Sequence, residues 1–426
     1  MESTQTNAAS RRPRRRRFWL ALLFTALWTT SFLLAACNRF SLNLPFLGRD
    51  AAAPTPVGIT VFAPADDAAL RRTISVTALS ALTADVAISP AVTVTSLTPR
   101  LYQQLLAGRR QPDVLVLNLA QVDEMVAAGQ LAPLALSSRL TANLDPRLLA
   151  AGSRDGQLYC APHSVQTLAL FYNRAQFDQA GAPYPDATWT WDDLRAAAAQ
   201  IEELPTVRFT PFGLGLSPDI ARWYPFLLQA SPAPPLDDPA AILDDPAALD
   251  QGLRFVTGLY SDTLAATPGY FSAAWAGELF GNGRVAMTVE GNWLVDYLAQ
   301  FYPELDYGIA PLPRGASAAT VAFGLCVAAG AHTAHPEHAQ RVLAALLDAD
   351  LNPRAVPARQ DRRAAWQTAN PRARPFLTQL DRSALWAGPS VSPARVDAYQ
   401  TVIRGLLDGE MSRAEAIAAL AASGEK

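Results

Sequence analysis

The sequence predicts an α/β fold with a parallel sheet, in a chain long enough for two domains. Three observations carry this. Apolar runs of strand length alternate with amphipathic segments of helix length. Residues 113–117 (DVLVL) and 320–328 (TVAFGLCVA) are nearly unbroken apolar runs, as strands covered on both faces require. The chain has 426 residues, 50% of them hydrophobic, which is enough for two cores.

Taken in order, residues 57–62 (VGITVF) read as the first strand and 92–95 as the next. Residues 100–108 are helical, DVLVL is a buried strand, and 122–129 is a short helix ended by Gly129. A second unit opens with the strand 166–173 (QTLALFYN). Thr190 N-caps a helix running to 204, with Asp193 adding charge to its first turn. Residues 231–249, rich in Pro, Asp and Ala, give turns and short helical pieces, and 249–260 is a helix. Residues 285–289 form a strand, 307–312 (YGIAPL) another and 320–328 a third. Helices follow at 337–347 and 390–407, and Ser412 with Glu415 forms a capping box for a last one.

The first 36 residues read as a secretory leader. RRPRRRR stands at 11–17, an apolar run fills 18–36, and small residues precede Cys37. A membrane span is the alternative, since the run is just long enough. Residues 37–56 read as a tether. Removing the leader's six Arg and one Glu takes the formal charge from −3 to −8, which does not suit nucleic-acid binding. The one lysine is Lys426, at the C-terminus, so a P-loop and a Schiff-base enzyme are excluded. His332, His335 and His338 are spaced by threes, but Pro336 marks a helix start there rather than a metal site. No metal or cofactor is called for. Cys160 and Cys326 either pair or stay as buried thiols.

Six stretches in order resemble the extracellular solute-binding proteins of bacterial ABC importers, of the sugar-binding, maltose-binding-protein-like group. They are QPDVLVLNLAQVDEMVAAGQLAPL (111–134), DGQLYCAPHSVQTLALFYNRAQFDQAGAPYPDATWTWDDLRAAA (155–198), FGNGRVAMTVEGNW (280–293), YGIAPLPRG (307–315), the strand and helix of 320–347, and NPRAVPAR (352–359). LAAC (34–37) resembles a bacterial lipobox, which implies cleavage before Cys37 and lipid on its thiol. The chain departs from the family at 63–67, where a polar aromatic loop is usual, and at Cys160, where glycine is common. The resemblance implies a two-lobed, periplasmic-binding-protein-like fold of type II with the ligand cleft between lobes. It assigns 57–160 plus about 327–367 to lobe 1, and about 161–326 plus 368–426 to lobe 2. It brings Cys160 and Cys326 together at the hinge as a candidate disulfide. It implies a monomeric, extracytoplasmic, lipid-anchored protein that serves a membrane permease and catalyses nothing.

A hydroxyl-rich solute needs flat aromatic faces for its C–H surfaces and amides, carboxylates or arginines for its hydroxyls. Trp189, Trp191 and Trp366 read as packing residues, which leaves Trp223, Trp275, Trp293 and Trp386 as candidates. A strand ending in Glu290-Gly291-Asn292-Trp293 delivers those residues to the lip of the sheet, where open α/β sheets bind ligands. Trp293 is expected to stack on the solute, as the matching tryptophan does on sugar in the family, with Glu290 or Asn292 hydrogen-bonding it. The alternative is that Trp293 plugs the first turn of the next helix. Asn118 and Gln121 follow DVLVL and are expected to face the cleft, as are Ser164 and Gln166 after the crossing strand, beside His163. The expected function is capture of a mono- or oligosaccharide by hinge closure, for delivery to the permease. Glycerol phosphate, a polyamine or a peptide-like solute are alternatives, as is a lipid-anchored sensor. A glycan-active enzyme using Glu290 and Asp113 ranks last.

Overall fold

A computed structural model describes residues 54–64, 68–204, 211–387 and 393–424. The leader, Cys37 and nearly all of the tether lie outside these residues, as do 65–67 of the departing loop.

β1 (Thr55–Pro64) pairs along its whole length with parallel β2 (Ile88–Leu97), and at Val61 and Phe62 with parallel β3 (Val114–Asn118). The helix between β1 and β2, α1 (Ala68–Thr83), was not anticipated from the sequence. Its Thr73, Ile74, Val76 and Thr77 are β-branched, which blurs local propensity. The deciding signal is a ridge of Leu70, Ile74, Ala78 and Leu82, four residues apart and all buried on one face. Asp113, at the entry to β3, accepts from the Thr60 N–H at 2.7 Å and from the Thr333 hydroxyl.

The longest strand, β4 (Cys160–Asn173), serves two arrays. β5 (Phe212–Gly215) lies parallel to β6 (Val285–Gly291), and β6 and β7 (Tyr307–Ala310) flank β4 over 168–173, both antiparallel. Over 160–167 its partner is instead antiparallel β8 (Thr320–Gly330), whose other edge carries β3. β4 therefore exchanges neighbours between Thr167 and Leu168. It also bulges at His163, which faces no residue of β8 because Leu325 pairs with Ser164 and Cys326 with Pro162. The His163 carbonyl accepts instead from Ala358 N at 3.0 Å, and its Nε2 meets the Ala349 carbonyl at 3.0 Å.

Helices cover the sheet. α2 (Trp191–Glu202) starts in a reciprocal capping box between Thr190 and Asp193. α3 (Ile220–Ala230) and α4 (Pro246–Ser261) pack on each other, and α6 (Pro336–Asp348) packs on α1, with α5 (Trp293–Phe301) following β6. α3 corrects an expectation. Trp223, expected from its loop-like context to contact solute, lies inside this helix, as does Pro225. The lost main-chain hydrogen bond is offset by burial, since nine of the helix's eleven residues are buried. Among the described residues no helix is long and apolar enough to cross a membrane.

Cys160 and Cys326 form a disulfide between β4 and β8, with their Cα atoms 5.5 Å apart and a sequence separation of 166. Joining such distant positions restricts the unfolded chain, an effect of about 2–5 kcal/mol for native disulfides. The double substitution Cys160→Ala/Cys326→Ala should lower unfolding free energy by about that amount in a denaturant titration. Unchanged stability would show that the bond contributes nothing in solution.

Candidate functional site

Every residue of β6 is buried, and the strand runs directly into α5 at Trp293. The turn needs Gly291. A Cβ there would lie 2.1 Å from the Trp293 ring, so any side chain would push the indole away. Below the ring, Glu290 has 0% exposure. Its Oε2 accepts from Trp293 Nε1 at 2.9 Å and from Arg222 Nη2 at 2.8 Å. The Arg222 guanidinium also lies 5.3 Å from the Trp293 ring centre. Asp219, N-cap of α3, accepts from the Arg222 N–H at 3.1 Å and is ion-paired with its guanidinium at 3.5 Å. Burial pushes the Glu290 carboxyl above the usual range, although Arg222 pulls the other way. One guanidinium thus serves two carboxylates and covers the face of an indole whose edge is held by Glu290.

Asn292 is buried and bridges three segments. Its Oδ1 accepts from Thr167 N–H at 3.3 Å, where β4 exchanges neighbours, and its Nδ2 donates to the Arg354 carbonyl at 2.7 Å. Arg354 in turn donates to Asp296 at 2.9 Å and to Asn370 at 2.8 Å. The start of α5, the middle of β4 and the turn after α6 are held as one unit.

Above this platform opens a cleft of about 900 Å³. One wall is Pro64 with the first turns of α1, including Arg72 and Thr73, together with Asn118 at the end of β3. The floor is Ser164 and Gln166 on β4 and Phe323 and Leu325 on β8. The facing wall is α5, with Trp293, Asp296, Tyr297 and Gln300, and the turn at 351–353 closes one side.

Four of the residues expected from sequence meet here: Trp293, Asn118, Ser164 and Gln166. The others lie elsewhere. Gln121 is not part of the wall; its Oε1 accepts from Asn118 N–H at 3.0 Å and so fixes the end of β3. Glu290 and Asn292 were expected to hydrogen-bond the solute, but both are buried and hold protein groups instead. Trp386 is not in the lining; its ring centre lies 6.0 Å from that of Phe323 and 5.5 Å from that of Tyr224. Trp275 stands edge-on to Tyr297 at 4.9 Å. Trp223 is wholly buried, 5.9 Å from the Tyr260 ring, and is a core residue. Arg72, Thr73, Asp296, Tyr297 and Gln300 were missed. The last three stand three, four and seven residues after Trp293, which is one helix face, so the spacing held the signal.

A model of the bacterial extracellular solute-binding protein family matches residues 82–355, well over half of the chain. The chain is a bacterial extracellular solute-binding protein. Putative binding proteins of Brucella abortus and Brucella suis are 27% identical to it over 174 residues, covering 40% of this chain and 41% of theirs. Among solved structures, the GacH receptor of Streptomyces glaucescens, known unliganded and with acarbose, matches with a TM-score of 0.71 and 22% identity, over 86% of this chain and 97% of that one. An ABC substrate-binding protein of Listeria monocytogenes in complex with cycloalternan gives 0.72 and 19%, over 87% and 98%. A solute-binding protein of Thermotoga lettingae bound with α-D-tagatose gives 0.69 and 21%, over 87% and 98%. At such identities the likeness is one of fold, and the solute-binding protein shares the two-lobed α/β architecture of these neighbours.

Proposed function

We propose that this solute-binding protein captures a mono- or oligosaccharide in the cleft beside Trp293 and delivers it to an ABC permease. The cleft lining carries the reading. Trp293, Tyr297 and Phe323 supply ring faces, while Asn118, Gln166, Gln300, Ser164 and Thr73 supply amides and hydroxyls. Among the described lining residues Arg72 and Asp296 are the charged ones, one of each sign. A phosphorylated solute calls for several arginines, and a polyamine for several carboxylates. Neutral, hydroxyl-rich ligands fit this lining better. The sugars carried by the matched structures, acarbose, cycloalternan and tagatose, support the same class.

In this reading the lobes divided from sequence close about the point where β4 exchanges partners, at Thr167 and Leu168. Solute touching both walls favours the closed form and shifts the population toward it. Catalysis has no support: Glu290 lies beneath Trp293, Asp113 holds Thr60 and Thr333, and neither carboxylate lines the cleft. Lipid on Cys37 and a monomeric state belong to the same proposal. Intrinsic tryptophan fluorescence against maltose, acarbose, cycloalternan, tagatose, glycerol phosphate and putrescine tests it. A saturable response to one of the sugars, with none to glycerol phosphate or putrescine, is expected. A response to either of those two alone overturns the carbohydrate assignment.

A further inference from the structure

A second concavity, of about 360 Å³, shares no lining residue with the cleft. Arg314, Arg374 and Arg382 line it, and no Asp or Glu does. Among the described residues none of these three guanidinia has a hydrogen-bond or ion-pair partner. The field of Arg314 reaches Asp193, but that carboxylate is taken by the main-chain and hydroxyl groups of Thr190 at 2.8 and 2.7 Å. An adjoining hollow shares Arg374 and adds Arg174 and Arg372, again with no acidic residue in its lining. Arg174 faces the exposed Asp306 at 3.5 Å, and Arg372 lies 5.6 Å from the Tyr307 ring centre.

The backbone under these arginines is rigid. The Arg314 N–H donates to the Trp189 carbonyl at 2.9 Å, and the Arg314 carbonyl accepts from Trp191 N–H at 3.1 Å. Gln379, itself 6% exposed, ties the two sides together. Its Oε1 accepts from Leu312 N–H at 2.9 Å, and its Nε2 donates to the carbonyls of Leu168 and Pro375, each at 3.2 Å. Like charges lining one hollow repel one another where they come within a screening length of about 8 Å at physiological salt. Among the described residues, the linings of the two hollows hold no carboxylate to offset these charges. A multivalent anion relieves the repulsion, and planar guanidinia grip phosphate oxygens in pairs.

We propose that this arginine-lined strip is a binding site for a phosphate-bearing anion, separate from the solute cleft. Two sources carry that chemistry, a soluble phosphate compound and a phospholipid headgroup. The full chain with Cys37→Ala, which removes the lipid attachment point, is titrated calorimetrically with inorganic pyrophosphate. The same protein is floated with phosphatidylcholine vesicles, with and without 30% phosphatidylglycerol, a composition that spans neutral and anionic surfaces. Arg374→Gln/Arg382→Gln is compared with Arg109→Gln/Arg110→Gln, a control pair exposed elsewhere.

The expected result is binding to at least one probe, weakened at least about tenfold by the first pair and changed less than about twofold by the second. Binding to pyrophosphate alone assigns a soluble ligand, and binding to the anionic vesicles alone assigns a headgroup. Absence of binding to both probes, or equal loss in the two variants, overturns the site. The solute affinity of the cleft is unchanged by the first pair in either case, so this test and that of the carbohydrate reading fail separately.

Discussion

Replacing Trp293 by alanine is expected to weaken binding of the cognate saccharide at least about 100-fold, or roughly 2.7 kcal/mol, the scale of an aromatic anchor at the centre of an interface. The indole is fixed by Glu290 at its Nε1 and by Arg222 over its ring, so in the proposed complex it would meet the solute already oriented. Titration calorimetry is the measurement, because the substitution removes a fluorophore. Trp293→Phe keeps a ring but loses the bond to Glu290, and its affinity should fall between the two. Affinity within about threefold of wild type in Trp293→Ala would remove the indole from the binding account.

Arg222→Ala should destabilise the fold by about 3–5 kcal/mol near neutral pH, because it strips Glu290 of its cationic partner inside the protein. The effect depends on pH in a defined direction. Glu290 is held above its ordinary 4.5 by burial, so between 4.5 and its raised value the folded state binds more protons than the unfolded state. Stability contributed by this group is therefore greatest at low pH and falls as pH climbs through that window, by at most about 1.4 kcal/mol per unit. Loss of Arg222 widens the window, so the deficit of Arg222→Ala should be larger at pH 7 than at pH 5. Adding Glu290→Gln should recover part of the stability at pH 7 and flatten the slope. Denaturant titrations at the two pH values check both, and an equal deficit at pH 5 and pH 7 would mean that Glu290 carries no charge relevant to folding. The same substitution should also weaken saccharide binding, since the Trp293 ring loses the cation over its face.

The legible parts of this fold are those where one local pattern serves one purpose. DVLVL reads as a buried strand because no polar residue interrupts Val114 to Leu117, and it is one, with four of the residues of Val114–Asn118 buried. Thr190 and Asp193 read as a helix start because a capping side chain acts only on its own first turn. α1 and α3 were illegible for opposite reasons. In α1 the β-branched residues obscure a clear four-residue ridge, and in α3 a proline contradicts a helix that burial then enforces.

The site followed the same logic. Gly291 and Trp293 announce a strand end with an aromatic lip, and the rest of that lip lies on the following helix face. Glu290 misled because sequence alone gives no partner for a carboxylate. Arg222, 68 positions away, turns it inward and makes it a support for the indole instead of a contact for the solute. Trp386 and Trp275 misled likewise, since an aromatic in a loop packs against other rings as readily as against a ligand.

The central claim is that two lobes close on an unaltered sugar held against Trp293. Small-angle X-ray scattering, with and without the saccharide identified by fluorescence, tests it most directly. The account predicts a smaller radius of gyration at saturation, no change for Trp293→Ala at the same concentration, and recovery of the sugar intact. Full saturation with an unchanged radius, or a sugar returned cleaved, would contradict it.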